Sequence, residues 1–278
     1  MAPIDYLAVG HVTLDVLPDG RRVPGGAVTY AAITAAAMGL RTGIVTRAEP
    51  GWAELASLPG ISVHIVPAAN TTTFVNTYDA EHRRTQHVLA LAPPMAPDDI
   101  PAAWRDVAIA HFGTVDHELD PDVMDAVRAD FVGLGPQGWL RHIRLGEAVS
   151  RGRWHGADGL LTRADAVMLS DEDLDGEPRG EAWFADHTDL LVMTAGPDGA
   201  RARRHHDAWQ QPALPATPLD PTGAGDTFAA AFFIYFAESS DVEASLRFAS
   251  AAAAFKVEHA GPGGIPGRGE VMRRAGLE

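Results

Sequence analysis

"LDPTGAGDTFAAAFF", Leu219 to Phe233, decides the reading of this chain. Within it Gly223-Ala224-Gly225 is almost bare of side chains, Asp226 follows, and a long apolar run begins at once. A helix starting near Gly223 leaves its first N–H groups without intrahelical partners. Glycine and alanine do not shield those donors, and the helix dipole adds partial positive charge. The pattern predicts an anion pocket suited to a phosphate. Asp226 falls in the first turn, beside such an anion, where its ionised form is favoured. It can take the hydroxyl proton of a nucleophile attacking a phosphoryl group. For G-x-G-D alone, a plain turn with an ordinary first-turn aspartate is the competing explanation. The flanks favour the site: Asp220-Pro221-Thr222 fixes the approach, and Thr227-Phe228 with the alanines makes a helix too apolar for a surface decoration.

The 278 residues suffice for one large α/β domain, or a core domain with an appendage. A hydrophobic content of 46% and a charged content of 21% are ordinary for a globular chain. The formal net charge of −15 argues against nucleic acid or an anionic membrane as the main partner. An anionic small molecule stays open, because local backbone N–H groups outweigh a distant net charge. Lys256 is the only lysine, so no Gly-Lys-Ser/Thr tripeptide exists and a P-loop ATPase is excluded. The absence of cysteine removes disulfides, thiolate nucleophiles and Cys-based zinc or iron–sulfur sites. The N-terminal "MAPIDYLAVG" has neither a basic n-region nor a long apolar h-region, and the expected location is the cytoplasm.

"IDYLAVG", Ile4 to Gly10, reads as a buried strand ending in glycine. His11 to Pro24 alternates apolar Val12, Leu14 and Val16 with polar residues around "PDG", Pro18 to Gly20, the pattern of a hairpin with one wet face. From Gly25, "GGAVTYAAITAAAMGL" predicts an alanine-rich helix closing at Gly39, followed by strands "TGIVT" and "SVHIV". Asn70 to Leu91 is rich in Thr, Val and aromatics and predicts two solvent-facing strands joined at "DAEHR". With the first hairpin they would form a small half-exposed sheet, which could also serve as a homodimer interface, a point the sequence leaves open. From Val107 strands "VAIAHFG", "ADFVGL", "DAVMLS" and "DLLVMT" alternate with connections, of which "PDVMDAVRA" is the clearest helix. This rhythm predicts a mostly parallel sheet covered on both faces. "GARARRHHDAWQQ" reads as two polar strands, and helices over Gly225 to Phe236 and Val242 to Val257 finish the chain.

Four further stretches carry candidate chemistry. In "VMTAGPDGA", Thr194, Gly196 and Gly199 follow a strand in T-x-G-x-x-G spacing; this is either a β-turn or a ligand loop at a strand's carboxyl end. Asp15, near Gly25-Gly26, is either a solvated strand aspartate or an acceptor of sugar hydroxyls. "LSDEDLDGE", Leu169 to Glu177, either gathers a Mg²⁺ with a nucleotide's phosphates or forms a capping box with an acidic turn. "GLGPQG", Gly133 to Gly138, satisfies a dinucleotide fingerprint only formally: Pro136 sits in the loop and Trp139 follows where a small helix residue is wanted, so it reads as a loop. The histidines, including His82 and His87, lack metal-ligand spacing.

In this order, "GHVTLDVL", "GGAVTYAAITAAAMGLRTGIVTRA", "SDED", "TAGPDGA" and "DPTGAGDTFAAAF" resemble the ribokinase or PfkB family of sugar and nucleoside kinases over nearly the whole chain. The resemblance implies an α/β, three-layer ribokinase-like fold with a mostly parallel central sheet and a small β-sheet lid. It implies one kinase domain over 1–278, with lid segments at about 11–24 and 70–91. It also implies ATP with Mg²⁺ as donor and a hydroxyl as acceptor. By motif, Asp226 is the base and Gly223, Ala224 and Gly225 the anion hole. Thr194, Gly196, Gly199 and Thr222 line the nucleotide site, and Asp15, Gly25, Gly26 and Tyr30 the acceptor site. Asp173 takes the metal position, and the last helix with "KVEHAG" borders the adenine. Tyr30 stands where ribokinase-type enzymes carry Asn, and Ser170 and Asp173 replace the Asn and Glu of the acidic motif. Tyr30, "TTTFVNTY" and "GPQGWLR" look more like the myo-inositol kinase branch. The expected acceptor is a small sugar or cyclic polyol, with a nucleoside as the alternative. A non-catalytic sugar- or nucleotide-binding relative is the alternative of another class, which the intact Asp226 opposes.

Overall fold

The computed structural model describes residues 1–17, 19–52, 58–78, 84–156 and 158–278. Nine strands form one sheet. At its centre β1 (Tyr6–Val9) lies between β4 (Thr42–Ala48) and β8 (Asp106–Gly113), both parallel to it. Beyond β4 runs β5 (Ile61–Pro67), and beyond β8 come β9 (Arg128–Gly135), β12 (Ala166–Ser170) and β13 (Leu191–Thr194), all parallel. Only the last two strands, β14 (Ala200–Arg204) and β15 (Asp207–Gln211), are antiparallel, and they turn at His205 with φ 54°.

Alternation along the strands distributes the core. Tyr6 and Ala8 of β1, with Ala166 and Met168 of β12, face one cluster; Leu7, Val9, Val167 and Leu169 face the other. The first cluster is closed by four helices, Ala27–Ala37, Ala224–Ser239, Val242–Val257 and Arg268–Ala275. Glycine at 133 lets the Ala224–Ser239 helix come close, since a Cβ there would overlap the ring of Phe233. The second cluster is closed by shorter pieces, in which Trp139 stacks on Trp154 at 4.9 Å and Trp154 on Phe184.

This thin second face corrects one expectation. "PDVMDAVRA" is not an α-helix: Pro121–Ala126 forms a 3₁₀ helix, with Asp120 accepting the N–H of Asp122 at 3.0 Å. Arg128 already belongs to β9, donating its N–H to the Arg105 carbonyl at 2.8 Å. Sheet pairing therefore takes the residues that would have extended the helix.

A second sheet of four strands has the order β3 (Arg22–Gly25), β2 (Thr13–Val16), β6 (Thr73–Tyr78), β7 (Arg84–Ala90). It unites the two segments that the sequence sets apart from the main body. The pairs β2–β3 and β6–β7 are antiparallel, whereas β2 and β6 run parallel. Pro18 and the "DAEHR" connection, Asp79 to Arg83 with His82, lie outside the described residues. His11 stands where the two sheets meet and is fully buried. Its Nε2 donates to the Pro93 carbonyl at 3.1 Å, so its Nδ1 accepts from the Thr72 hydroxyl at 2.9 Å. The Glu118 carboxylate braces the same junction, accepting N–H bonds from His11, Val115 and Asp116.

Under the central strands the Tyr6 hydroxyl and His111 Nδ1 are hydrogen-bonded at 2.6 Å. Burial pushes the His111 imidazole down to about 3, so it is neutral in the fold. The unfolded chain takes a proton near 6.5, so this group favours folding above that pH and loses its contribution as pH falls towards its folded value. Burial raises the carboxyl of Glu118 to about 8, which acts in the opposite direction, so a paired comparison isolates the histidine. His111→Asn keeps an acceptor for Tyr6 without a titrating ring. The stability difference between wild type and this variant is expected to move in the variant's favour by about 1.4 kcal/mol per pH unit below pH 6. Urea unfolding at pH 7, 6 and 5 measures it; a difference independent of pH would show that His111 protonates alike in both states.

Candidate active site

The glycine turn predicted at Gly223 is present and starts the Ala224–Ser239 helix. Gly223 is its N-cap at φ 77°, a left-handed conformation that suits glycine. The Asp220 carboxylate holds the approach, accepting the N–H of Thr222 and that of Gly261, each at 2.9 Å. Burial works to raise the Asp220 carboxyl, but these N–H groups and the nearby Lys256 outweigh it and hold it below the usual range.

The three bare residues are not equivalent. Ala224 donates its N–H to the Pro221 carbonyl at 3.1 Å, whereas no such acceptor meets the N–H groups of Gly223 and Gly225 among the described residues. Gly225 is exposed, and a Cβ there would meet nothing within 4 Å. Asp226 is half-buried in the first turn, and its charge joins burial in raising the Tyr6 phenol well above its ordinary value. A helix start with open donors and a carboxylate in the same turn has the geometry to receive a phosphoryl group beside a proton acceptor.

The acceptor-side residues converge on the start of the Ala27–Ala37 helix. Asp15 sits on β2 opposite Val23 of β3 and Phe74 of β6, and only 9% of it is exposed. It is therefore not a solvated strand aspartate. Gly25 makes room for it: a Cβ at Gly25 would lie 2.5 Å from Asp15 Oδ2. Gly26 is the N-cap of the Ala27–Ala37 helix at φ 88°. One turn on, Tyr30 is 4% exposed and lies under the other glycine turn, where a Cβ on Gly223 would overlap its ring. The ring thus supports the anion turn from below and joins the acceptor side to it.

The nucleotide-loop residues fall at the carboxyl end of β13, where open α/β sheets bind ligands. Thr194 ends the strand, and Gly196–Asp198 makes one 3₁₀ turn with Gly196 at φ 53°. Gly199, at φ 100°, is bare for a packing reason, because a Cβ would overlap the Gln211 carbonyl. At the end of β12 the acidic motif is a capping box. The Asp173 carboxylate accepts from the Ser170 N–H at 2.8 Å, the Ser170 hydroxyl at 2.7 Å and Gln137 Nε2 at 3.1 Å. Among the described residues no group of three or more His, Asp or Glu side chains is arranged to hold a metal. "GLGPQG" ends β9 and continues into a short 3₁₀ helix, Gln137–Leu140, as a loop rather than a dinucleotide turn.

Lys256 had no individual role from sequence, only a place in the "KVEHAG" stretch, yet it is fully buried beside the glycine turn. Its signal was its solitude, the one lysine of the chain inside an alanine-rich helix.

Residues 160–266, which span the acidic motif, the nucleotide loop and the glycine turn, match the family described as pfkB family carbohydrate kinase. Over that stretch the chain is similar to a pfkB-family carbohydrate kinase domain. It is a phosphotransferase with a hydroxyl acceptor, of the sugar and nucleoside kinase kind. Cytidine kinase of Thermococcus kodakarensis is 28% identical over 266 residues, 88% of this chain and 92% of that one. Ribokinase of Bacillus subtilis is 46% identical over 82 residues, 29% of this chain and 28% of that one. Among solved structures, a pyrophosphate-dependent kinase in the ribokinase family, complexed with a pyrophosphate analogue and myo-inositol, superposes with a TM-score of 0.82. It is 21% identical and the match covers 96% of this chain and 99% of that one. Arabidopsis thaliana ribokinase complexed with ribose and ATP superposes with a TM-score of 0.77 at 20% identity, covering both chains in full. The fold of this chain is thus the ribokinase fold. No helix among the described residues is long and apolar enough to cross a membrane.

Gly223→Ala adds a methyl to a left-handed residue and drives it into Tyr30. Its expected cost is about 2 kcal/mol or more of folding stability. Gly225→Ala, with open space around the new Cβ, should cost less than about 1 kcal/mol. Urea denaturation of the two variants checks the ordering; equal costs would contradict the Tyr30 contact.

Proposed function

We propose that the chain is an ATP- and Mg²⁺-dependent kinase that transfers the γ-phosphoryl group to a hydroxyl of a small sugar or cyclic polyol. The observation that carries this reading is the Gly223–Asp226 turn, which combines open N–H donors with a half-buried carboxylate. Its contact with Tyr30 brings it beside the Asp15 and Gly25-Gly26 group. The acceptor hydroxyl gives its proton to Asp226 while its oxygen attacks the γ-phosphorus in line with the leaving ADP oxygen. The N–H groups of Gly223 and Gly225 stabilise the charge that builds on the transferring group, with Ala224 held in place by Pro221. Thr194, Gly196, Gly199 and Thr222 line the nucleotide, and Asp15, Gly25 and Gly26 the acceptor, with Tyr30 as the floor between them.

The described residues do not form a metal cage, and Asp173 is already engaged by Ser170 and Gln137. Mg²⁺ is therefore assigned to the donor's own phosphates, and no step is assigned to it. The whole chain acts as one domain, in the cytoplasm, with the four-stranded sheet as a lid that excludes water when acceptor binds. The likeness to the fold bound to myo-inositol supports a polyol. A nucleoside acceptor is the second reading, supported by the cytidine kinase match over most of the chain.

Asp226→Asn should keep its thermal melting point and its affinity for an ATP analogue, while kcat drops by about three orders of magnitude. Turnover unchanged by this substitution would remove Asp226 as the base. For the acceptor, melting temperatures with an ATP analogue plus inositols, hexoses, pentoses or nucleosides should rise most with inositols. A rise with nucleosides alone would establish the second reading instead.

A further inference from the structure

We propose that Lys256 is a positioning residue for phosphoryl transfer: its buried ammonium ties the glycine turn to the loop behind it and keeps the turn's donors aimed. This rests on the kinase reading above. Lysine is almost never fully buried unless its charge is satisfied. Lys256 is 0% exposed, near the end of the Val242–Val257 helix. Its Nζ donates to the carbonyl of Asp220 at 3.2 Å and to that of His259 at 3.1 Å, and it lies 5.7 Å from the centre of the Tyr30 ring.

Those partners surround the glycine turn. Asp220 is the residue at which the turn is approached, and its carboxylate accepts from Thr222 on one side and Gly261 on the other. Tyr30 is the ring on which Gly223 rests. His259 opens the loop that leads to Gly261. One ammonium therefore holds the approach to the turn, its floor and the neighbouring loop together. Burial alone lowers the lysine's proton affinity, and the Asp220 carboxylate partly restores it. A core that needed only volume here would use leucine or methionine, which need no acceptors. A cation fixes two carbonyls directionally and adds positive potential where the helix start already favours an anion.

Lys256→Met keeps the length of the side chain and removes the charge; Lys256→Ala leaves space for a small amine. Both variants should fold by circular dichroism. The expected kcat is about 10- to 100-fold below wild type, with the KM for acceptor changed less than about three-fold. Ammonium or methylammonium chloride should restore part of the lost kcat in Lys256→Ala, and tetramethylammonium chloride should not. A folded Lys256→Met that turns over within about two-fold of wild type, or a Lys256→Ala deaf to small amines, would overturn the proposal. If neither variant folds, the wild-type protein still decides. Lysine labelled with ¹³C and ¹⁵N gives one side-chain Nζ resonance, because the chain has one lysine. Binding of a non-hydrolysable ATP analogue, followed by calorimetry, should shift that resonance; a resonance that stays put at saturation overturns the proposal. A wild type that neither binds the analogue nor phosphorylates any acceptor would instead locate the failure in the kinase reading.

Discussion

The ring of Tyr30 occupies the place where any side chain on Gly223 would have to go. That clearance joins two parts of the chain nearly two hundred residues apart. Tyr30 rides one turn inside the helix that begins at Gly26, and Gly223 caps the helix that carries Asp226. Close packing in a protein interior leaves no slack at such a contact. The Gly223 turn can therefore sit against the Tyr30 ring only because it has no Cβ. The acceptor side and the anion turn meet because of it.

Around this contact the sheet supplies rigidity unequally. One face is sealed by four helices, of which Ala224–Ser239 and Val242–Val257 are rich in alanine and phenylalanine, and the clearance of Gly133 under Phe233 repeats the same device. The other face is sealed by 3₁₀ turns and a tryptophan stack. The helices that bear the candidate chemistry belong to the well-covered face. The small sheet is joined to its surroundings by the bonds of His11 to Pro93 and Thr72 and of Glu118 to three N–H groups, by backbone bonds between β7 and residues 146–149, and by an apolar cluster of Phe74 and Val88 with Ala27 and Val115.

Much of this was legible before any coordinates. The alternation of Tyr6, Leu7, Ala8 and Val9 announces a strand buried on both faces, and the order of strands and connections announces a parallel sheet. Segment 121–129 was misleading because its apolar spacing suits a helix, while the carbonyl of Arg105 claims Arg128 for the sheet. No local pattern encodes that partner. In the candidate site, Gly196 takes a left-handed turn conformation just after β13. Gly199 is bare because the Gln211 carbonyl passes over it, a reason invisible in a linear chain.

By itself the sequence determined the elements whose cause is local. A bare helix start exposes N–H donors wherever it lies, and Asp226 falls in its first turn for the same local reason. The tertiary structure decided what depends on neighbours far along the chain. It placed Tyr30 under Gly223, engaged Asp173 with Gln137 rather than leaving it open, and buried the only lysine among carbonyls of two separate loops. Backbone geometry is set by the residues within one turn; burial and hydrogen-bond partners are set by what packs against them.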